Sequence, residues 1–229
     1  MKTIGIIGGL TWLSTIDYYR YINELVNQRM GGAEAAKIIM YSVNFGEIKR
    51  LTEQDNWPAI TGIACDCAVK LEQAGADCLL LAVNTLHKVA DEIKASVKIP
   101  LIHIAAVTAA EAGKMQLKKA ALLGTKFTME LPFYREALAK HDIEMIIPGD
   151  EERDYIHATI YNELGIGLFT SETKKRYQQI IQQLKEQGAD GVILGCTEIP
   201  LLIKDEDSDL PLLNTILIHS KAAVEFALG

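Results

Sequence analysis

The chain has 229 residues, of which 49% are hydrophobic and 23% are charged. This composition is typical of a folded globular protein and excludes the disordered and fibrous classes. The length allows two compact halves of roughly 100 residues each. Lys and Arg number 23, Asp and Glu number 30, and the formal net charge is −7. Because such a chain lacks the broad positive field that attracts phosphates, we expect neither nucleic acid nor an anionic membrane as a partner.

The predicted strands are short apolar runs that alternate with amphipathic stretches, the pattern of βαβ units and a parallel sheet. In chain order they cover residues 3–7, 38–43, 78–83, 101–104, 120–123, 144–147, 192–194 and 212–213. Residues 14–30 carry apolar side chains at helical spacing, with a Ser14/Asp17 capping box before them and two glycines after them, which predicts a helix. Further helices are predicted over 59–73 and 216–228. The predicted class is α/β with two small parallel sheets.

An internal repeat organises the chain. LEQAGADCLLLAVNTLH at 71–87 matches LKEQGADGVILGCTEIP at 184–200 with a constant offset of 113 residues, and each is followed by a Pro-Leu strand. The sequence therefore predicts two pseudo-symmetric α/β half-domains, 1–101 plus 214–229 and 102–213, with a ligand in the crevice between them at the carboxyl ends of the strands.

Cysteine usage indicates a reducing compartment. The four cysteines, Cys65, Cys67, Cys78 and Cys196, are too few for a disulfide framework, and their spacing matches no metal motif. The first apolar run ends at Gly8 and is too short for a signal peptide, and no stretch is long enough to span a bilayer. We expect a cytoplasmic protein without a bound metal.

The repeat aligns two turns that follow buried strands, Val83-Asn84-Thr85 and Cys196-Thr197-Glu198. Cys196 precedes a predicted helix, whose dipole and free N–H groups lower a thiol pKa, so it is the best candidate for a nucleophile or base. Structural alternatives exist for every member of both turns. A free cysteine also serves as a small apolar side chain, Asn84, Thr85 and Thr197 are suitable helix caps, and Glu198 either faces a ligand or meets the helix dipole.

Other candidates have weaker support. Cys65 and Cys67 point in different directions from a predicted helix, and Cys78 belongs to a core strand. His103, His141, His157 and His219 are scattered, whereas His87 closely follows the Val83 turn.

Neither G-x-G-x-x-G nor G-x-x-x-x-G-K-[ST] occurs, so no nucleotide cofactor is implied. The run 124–128 offers hydroxyls and the Lys126 ammonium, which could hold a carboxylate or be solvated.

Four blocks together resemble the aspartate/glutamate racemase family over essentially the whole chain: GIIGGLTWLSTIDYY, VNTLHKVAD, ALLGTKFTME and GVILGCTEIPLL. The resemblance implies a homodimeric enzyme that needs neither pyridoxal phosphate nor a metal. It also implies a small acidic amino acid as the substrate. Family members invert this substrate with two facing cysteines, one removing the α-proton and the other supplying a proton to the opposite face.

The family pattern also suggests substrate-binding residues here. Asn84, Thr85, Thr125, Thr128 and Thr197 match positions that could stabilise the enolate charge with fixed donors. Trp12, Ser14 and Glu198 complete the candidate set. Trp12 and Ser14 lie in a block that reads GGLTW where many relatives read GGMGP, so we expect a different substrate preference.

The largest departure from the family falls on the first cysteine, which is Val83 in this sequence. An isopropyl group can neither accept nor deliver a proton, so Cys196 must act alone or with a weaker partner. In related glutamate racemases the second-half cysteine removes the proton from the L-enantiomer, so the resemblance implies a racemase or epimerase of aspartate or glutamate that is biased to L-substrates, with Cys196 as a thiolate base. The returning proton would come from Thr85, His87 or water.

Two alternatives remain open on the sequence. One is a single-cysteine decarboxylase-like enzyme of the same superfamily, in which a thiol protonates an enediolate. The other is a non-catalytic binder of small dicarboxylates.

Overall fold

The computed structural model describes residues 1–229, which form two compact α/β units. The first unit comprises Met1–His103 and His219–Gly229, and the second comprises Ile104–Ile218. Seven strands form one three-stranded and one four-stranded sheet, and all pairings are parallel. The predicted architecture of two parallel-sheet α/β halves is confirmed. The predicted strand at 101–104 is wrong, because only Leu101 forms an isolated bridge, with Leu79, and a helix begins at Ile104.

The first unit contains a sheet in the order β2-β1-β3, with β1 buried in the middle. Its elements are β1 (Ile4–Gly8), α1 (Trp12–Met30), β2 (Ile38–Ser42), α2 (Phe45–Glu53), α3 (Trp57–Gln73), β3 (Cys78–Leu81) and α4 (Ala90–Ser96). A 3₁₀ turn, Thr85–Val89, connects β3 to α4.

The second unit contains a sheet in the order β5-β4-β6-β7. Its elements are α5 (Ile104–Lys114), β4 (Lys119–Leu123), α6 (Lys126–Glu130), α7 (Pro132–Ala139), β5 (Glu144–Ile146), α8 (Asp150–Asn162), α9 (Ser171–Glu186), β6 (Gly191–Leu194), α10 (Ile199–Leu202) and β7 (Leu212–Asn214). The final helix, α11 (Thr215–Leu228), begins in the second unit and ends in the first.

The sequence repeat has a counterpart in strand pairing. In each sheet the first strand of the unit lies between the second and third strands of that unit. Leu79 bridges Leu101 in the first sheet, and Val192, which lies 113 positions after Leu79, pairs with Leu212 in the second. The sheets differ because the second extends this contact into strand β7, whereas the first keeps a single bridge.

Helix α1 begins earlier than its sequence pattern predicts. Thr11 is the N-cap residue and its Oγ1 accepts a hydrogen bond from the Ser14 N–H. The predicted Ser14/Asp17 capping box is therefore wrong, because Thr11 has the extended backbone that a cap requires and Ser14 is already helical. The buried Ser14 hydroxyl lies within hydrogen-bond distance of two carbonyl oxygens, at 3.0 Å from Thr11 and 3.3 Å from Ala82.

Three histidines that are distant in sequence cluster in the first unit. The His87 ring centroid lies 4.6 Å from that of His103 and 5.7 Å from that of His219. His219 Nδ1 lies 2.8 Å from the Tyr18 hydroxyl, and its Nε2 lies 2.7 Å from the Ile102 carbonyl oxygen. A neutral ring donating through Nε2 and accepting at Nδ1 satisfies both contacts. The expectation that His103 and His219 are scattered is wrong.

Burial keeps His87 and His219 of this cluster neutral. It lowers the pKa of His219 to about 4 and that of His87 well below the ordinary value, and the neighbouring histidines lower the pKa of His87 further. In both cases the cause is that a charged imidazolium would lose its hydration in the core.

The first unit should therefore lose stability in acid. Below a pH of about 6.5 the unfolded chain binds more protons than the folded chain. At a pH of about 5, His219 alone should lower the free energy of unfolding by about 2 kcal/mol relative to its value above neutral pH. Above neutral pH this loss is absent, because the imidazole is neutral in both the folded and the unfolded chain. Urea titrations at both pH values measure this change. His219→Gln should reduce the pH dependence of the unfolding free energy. An equal pH dependence in His219→Gln and the wild type would contradict the assignment.

Candidate active site

In the second unit, two turns lie side by side at the carboxyl edge of the sheet. Strands β4 and β6 end together, with Leu123 paired to Leu194, and the Gly195 N–H donates to the Leu123 carbonyl at 2.7 Å. A Cβ at Gly195 would lie 2.8 Å from Leu122 Cδ1 and 3.0 Å from Leu123 O. Only glycine fits this close approach, which places the residues after β4 beside those after β6.

Cys196 and Glu198 form a buried hydrogen-bonded pair in the turn after β6. The Cys196 Sγ donates to Glu198 Oε2 at 3.0 Å, and the Thr197 hydroxyl donates to the same oxygen at 2.7 Å. The exposed fraction is 8% for Cys196 and 4% for Glu198. The Glu198 carboxylate thus accepts hydrogen bonds from both the thiol and the hydroxyl.

This environment raises the pKa of Cys196 well above that of an ordinary thiol. Burial is the largest cause, followed by the negative charge of Glu198 and its hydrogen bond to the thiol. Backbone N–H groups of Thr197 and Glu198 oppose the shift with smaller effects. Helix α10, which follows, has only four residues. The expectation that a helix N-terminus lowers this pKa is therefore wrong, and the thiol is protonated at neutral pH.

The turn after β4 carries two buried hydroxyls. Thr125 is the N-cap of α6, and its Oγ1 accepts from the Thr128 N–H at 3.3 Å. The two hydroxyl oxygens lie 3.2 Å apart. The Lys126 ammonium forms an ion pair with Asp154.

In the first unit, the turn after β1 is tightly constrained. Gly9 has a φ of 88°, and a Cβ there would lie 2.3 Å from the Val43 carbonyl oxygen. Its N–H donates to Thr15 Oγ1 at 2.8 Å. Trp12 follows this turn and is 63% exposed. The Ser14 hydroxyl, by contrast, is buried against backbone carbonyls, so its evident role is structural.

The turn after β3 holds the other sequence candidates. Val83 packs against the apolar core of the first unit, Asn84 is buried, and Thr85 is partly buried at the start of the 3₁₀ turn. His87 Nδ1 lies 3.0 Å from the Val83 carbonyl oxygen and 3.3 Å from that of Asn84. His87 therefore fastens this turn through its backbone, and its burial argues against the role of proton donor.

Sequence reasoning missed polar residues around Cys196. The Thr215 hydroxyl donates to the carbonyl of Leu194 at 2.8 Å and closes the end of β6. Tyr177, from α9, lies within hydrogen-bond distance of Thr159, at 3.0 Å between the two hydroxyl oxygens. Burial is the main cause that raises the pKa of Tyr177, and the negative charge of a Cys196 thiolate raises it further. Asn214-Thr215 at the end of β7 repeats the Asn-Thr pair that follows β3, and this repetition was the available signal.

No group of three or more His, Cys, Asp or Glu side chains is arranged to hold a metal ion. Likewise, none of the helices is both long and apolar enough to cross a bilayer.

The chain belongs to the Asp/Glu/Hydantoin racemase family, whose model matches residues 7–223. It is 43% identical to a candidate Asp/Glu racemase of known structure from Yersinia pestis, with complete coverage of both chains and a TM-score of 0.94. An aspartate racemase homologue from Pyrococcus horikoshii is 35% identical, again over both whole chains, with a TM-score of 0.87. The broad specificity amino-acid racemase RacX of Bacillus subtilis is 29% identical over 162 residues, which are 69% of this chain and 68% of RacX. The family resemblance is confirmed.

The Cys196–Glu198 contact predicts an unusual thiol titration. Wild-type Cys196 should contribute no thiolate absorbance at pH values where free cysteine ionises, about 8.5. Glu198→Gln removes the negative charge and should lower the pKa of Cys196, although burial keeps it above the ordinary value. Ultraviolet thiolate absorbance measured against Cys196→Ser isolates this group from the other three cysteines. An unchanged titration in Glu198→Gln would show that the carboxylate does not control the thiol.

Proposed function

We propose that this protein is a cofactor-independent racemase of aspartate or glutamate, with Cys196 as its base. Membership of the family and the similarity to racemases support amino-acid racemase activity. The observation that carries the catalytic assignment is the buried Cys196–Glu198 hydrogen bond. The other cysteines are poor candidates because of their positions, since Cys78 begins strand β3 and Cys65 and Cys67 lie within helix α3, so none of them follows the carboxyl end of a strand.

Glu198 provides a route for ionising the thiol. In the proposed step the Cys196 S–H bond breaks, the proton moves to Glu198 Oε2, and the new thiolate removes the substrate Cα proton. Burial and the negative charge of Glu198 raise the pKa of Cys196 well above that of an ordinary thiol, so this transfer is uphill. It leaves a strong base opposite a weakly acidic C–H bond.

The charge that develops on the substrate carboxylate requires fixed donors. We assign this role to the buried hydroxyls of Thr125, Thr128 and Thr197 at the edge of the second sheet. Glu198, before it takes the proton, is suited to attract the substrate ammonium, which in turn stabilises the thiolate. A small acidic amino acid carries both groups.

We assign the remaining candidates in the first unit more limited roles. Trp12 and Asn84 contact the substrate, whereas Ser14 supports the turn through its backbone contacts. Thr85, two residues after Val83, donates its hydroxyl proton to the second face, and water carries the proton held by Glu198 to the resulting alkoxide. Because a hydroxyl is a much weaker acid and base than a thiol, removal of a proton from the D-enantiomer is slow, which gives the L bias.

One observation favours a second candidate activity. Because the resting Cys196 thiol is protonated, it is prepared to donate a proton to an enediolate, as a decarboxylase-like enzyme of this superfamily requires. Turnover of an arylmalonate, without exchange of the Cα proton of amino acids, would support this activity.

The proposal includes a cytoplasmic location and a homodimeric state. All four cysteines are free thiols, which suits a reducing compartment. The dimer follows the pattern implied by the family.

Proton exchange in D₂O tests the catalytic assignment. L-Asp or L-Glu should lose the Cα proton faster than the corresponding D-enantiomer, because only one face meets a thiolate. Cys196→Ala should reduce this rate by about 100-fold or more, the usual contribution of a general base. Proton NMR of the four amino acids measures each rate. Equal exchange from both enantiomers would contradict the assignment of faces.

A matched variant tests the opposite face. Val83→Cys supplies the second thiol of the family pattern and should raise exchange from the D-enantiomer, while Cys65→Ala in helix α3 serves as a control without effect. Binding of L-Asp without any exchange would indicate a non-catalytic binder and would overturn the proposed function.

A further inference from the structure

The peptide group that precedes Cys196 is held from both sides. Its two polar groups are the Leu194 carbonyl and the Gly195 N–H. The Gly195 N–H donates to the Leu123 carbonyl at 2.7 Å, and the Thr215 hydroxyl donates to the Leu194 carbonyl at 2.8 Å. The first contact lies on the β4 side of strand β6 and the second on its β7 side. Because a peptide group is planar, these two bonds fix its orientation directly before Cys196.

Thr215 is itself held in place by its backbone. It begins helix α11 directly after strand β7, and it is fully buried. The preceding residue, Asn214, pairs with Leu194 in the sheet, and its Oδ1 accepts from the N–H groups of Ile216 at 3.1 Å and of Leu217 at 3.3 Å. This is the contact pattern of a helix N-cap. Sheet pairing and the cap together set the position from which the Thr215 hydroxyl reaches β6.

A buried phenol lies behind this hydroxyl. Thr215 has a single hydroxyl proton, which the Leu194 carbonyl accepts, so towards other side chains its oxygen is an acceptor. Tyr134, from α7, is fully buried and hydrogen-bonds Thr215. Burial raises the pKa of Tyr134, and the hydroxyls of Thr108 and Thr215 oppose this rise with smaller effects, so the phenol keeps its proton and is the donor. A directed chain therefore runs from Tyr134 through Thr215 to the end of β6.

We propose that Thr215, supported by Tyr134, is a positioning residue that places the Cys196 thiol against the Glu198 carboxylate. It acts through the peptide group before Cys196 and not on the substrate. The 3.0 Å contact between Cys196 Sγ and Glu198 Oε2 depends on that placement, since transfer of a proton between the two groups needs hydrogen-bond distance. A misplacement of about 1 Å can reduce a rate about 100-fold. This role rests on the proposed function, which requires the thiol proton to reach Glu198.

Matched variants separate positioning from general stabilisation. Thr215→Val keeps the branched shape and loses the hydroxyl, whereas Thr215→Ser keeps the hydroxyl. For Cα-proton exchange from L-aspartate and L-glutamate, Thr215→Val should lower kcat about tenfold or more and change KM less than about twofold. Thr215→Ser should restore kcat to about the wild-type value, and Tyr134→Phe should lower it by a smaller factor of about three. Thr173→Val removes another buried hydroxyl of the second unit, one that donates to Glu163, and should keep the wild-type kcat.

The titration of the Cys196 thiol is a readout that does not depend on turnover. Thr215→Val should weaken the contact with Glu198 and lower the pKa of Cys196 towards its value in Glu198→Gln. In the Glu198→Gln background, the same change at Thr215 should cause no further shift, because the contact is already lost. Thiolate absorbance of each variant is measured against the same variant carrying Cys196→Ser. Thr173→Val should titrate as the wild type does.

The outcomes are distinguishable. If folded Thr215→Val keeps the wild-type kcat or the wild-type thiol titration, the inference is overturned. Equal losses of kcat in Thr215→Val and Thr215→Ser would also overturn it, because the hydroxyl would then not matter. Should circular dichroism show that Thr215→Val is unfolded, Tyr134→Phe provides the test, and a wild-type kcat and titration in that variant would overturn the inference. A wild-type exchange rate in Cys196→Ala would instead contradict the proposed function, while the thiol titration would still test Thr215.

Discussion

A single hydrogen bond, from the Cys196 thiol to the Glu198 carboxylate, governs the chemistry that we assign to this protein. It joins the only cysteine at the carboxyl edge of a sheet to a buried negative charge. Alone, the charge makes ionisation of the thiol harder, because both groups would then be anionic in a poorly hydrated site. The same carboxylate also offers a destination for the proton. The Cys196 thiol can therefore ionise by passing its proton to Glu198 rather than to solvent.

The surrounding fold explains how the pair is held. Gly195 brings the turn after β6 against the end of β4, at a distance that no larger residue permits. The Thr215 hydroxyl fixes the carbonyl at the end of β6, and Thr197 shares the carboxylate oxygen with Cys196. The two hydrogen bonds from Cys196 and Thr197 hold the Glu198 carboxylate oxygen in one position. This rigidity is what preorganised electrostatic catalysis requires.

The sequence predicted the parallel α/β halves and the matched turns because strand burial and the 113-residue repeat are local patterns. It failed where long-range packing decides the outcome. Nothing local reveals that His87, His103 and His219 meet, since their contact depends on α11 returning to the first unit. The pKa of Cys196 was misjudged for a similar reason. Proximity to a helix start was visible in the sequence, but complete burial beside Glu198 was not. The cap of α1 was misplaced because Thr11 and Ser14 are equally good caps by composition, and only the backbone separates them.

The pH dependence of Cα-proton exchange from the L-substrate tests the central claim most directly. If Glu198 accepts the thiol proton, the wild-type rate should be constant from about pH 6 to about pH 8, because the proton moves within the pair and none is released to solvent. In Glu198→Gln the proton must leave to solvent, so the rate should rise about tenfold per pH unit below the pKa of the thiol. Equal slopes in the two proteins would contradict the account, because the proton would then reach solvent whether or not the carboxylate is present.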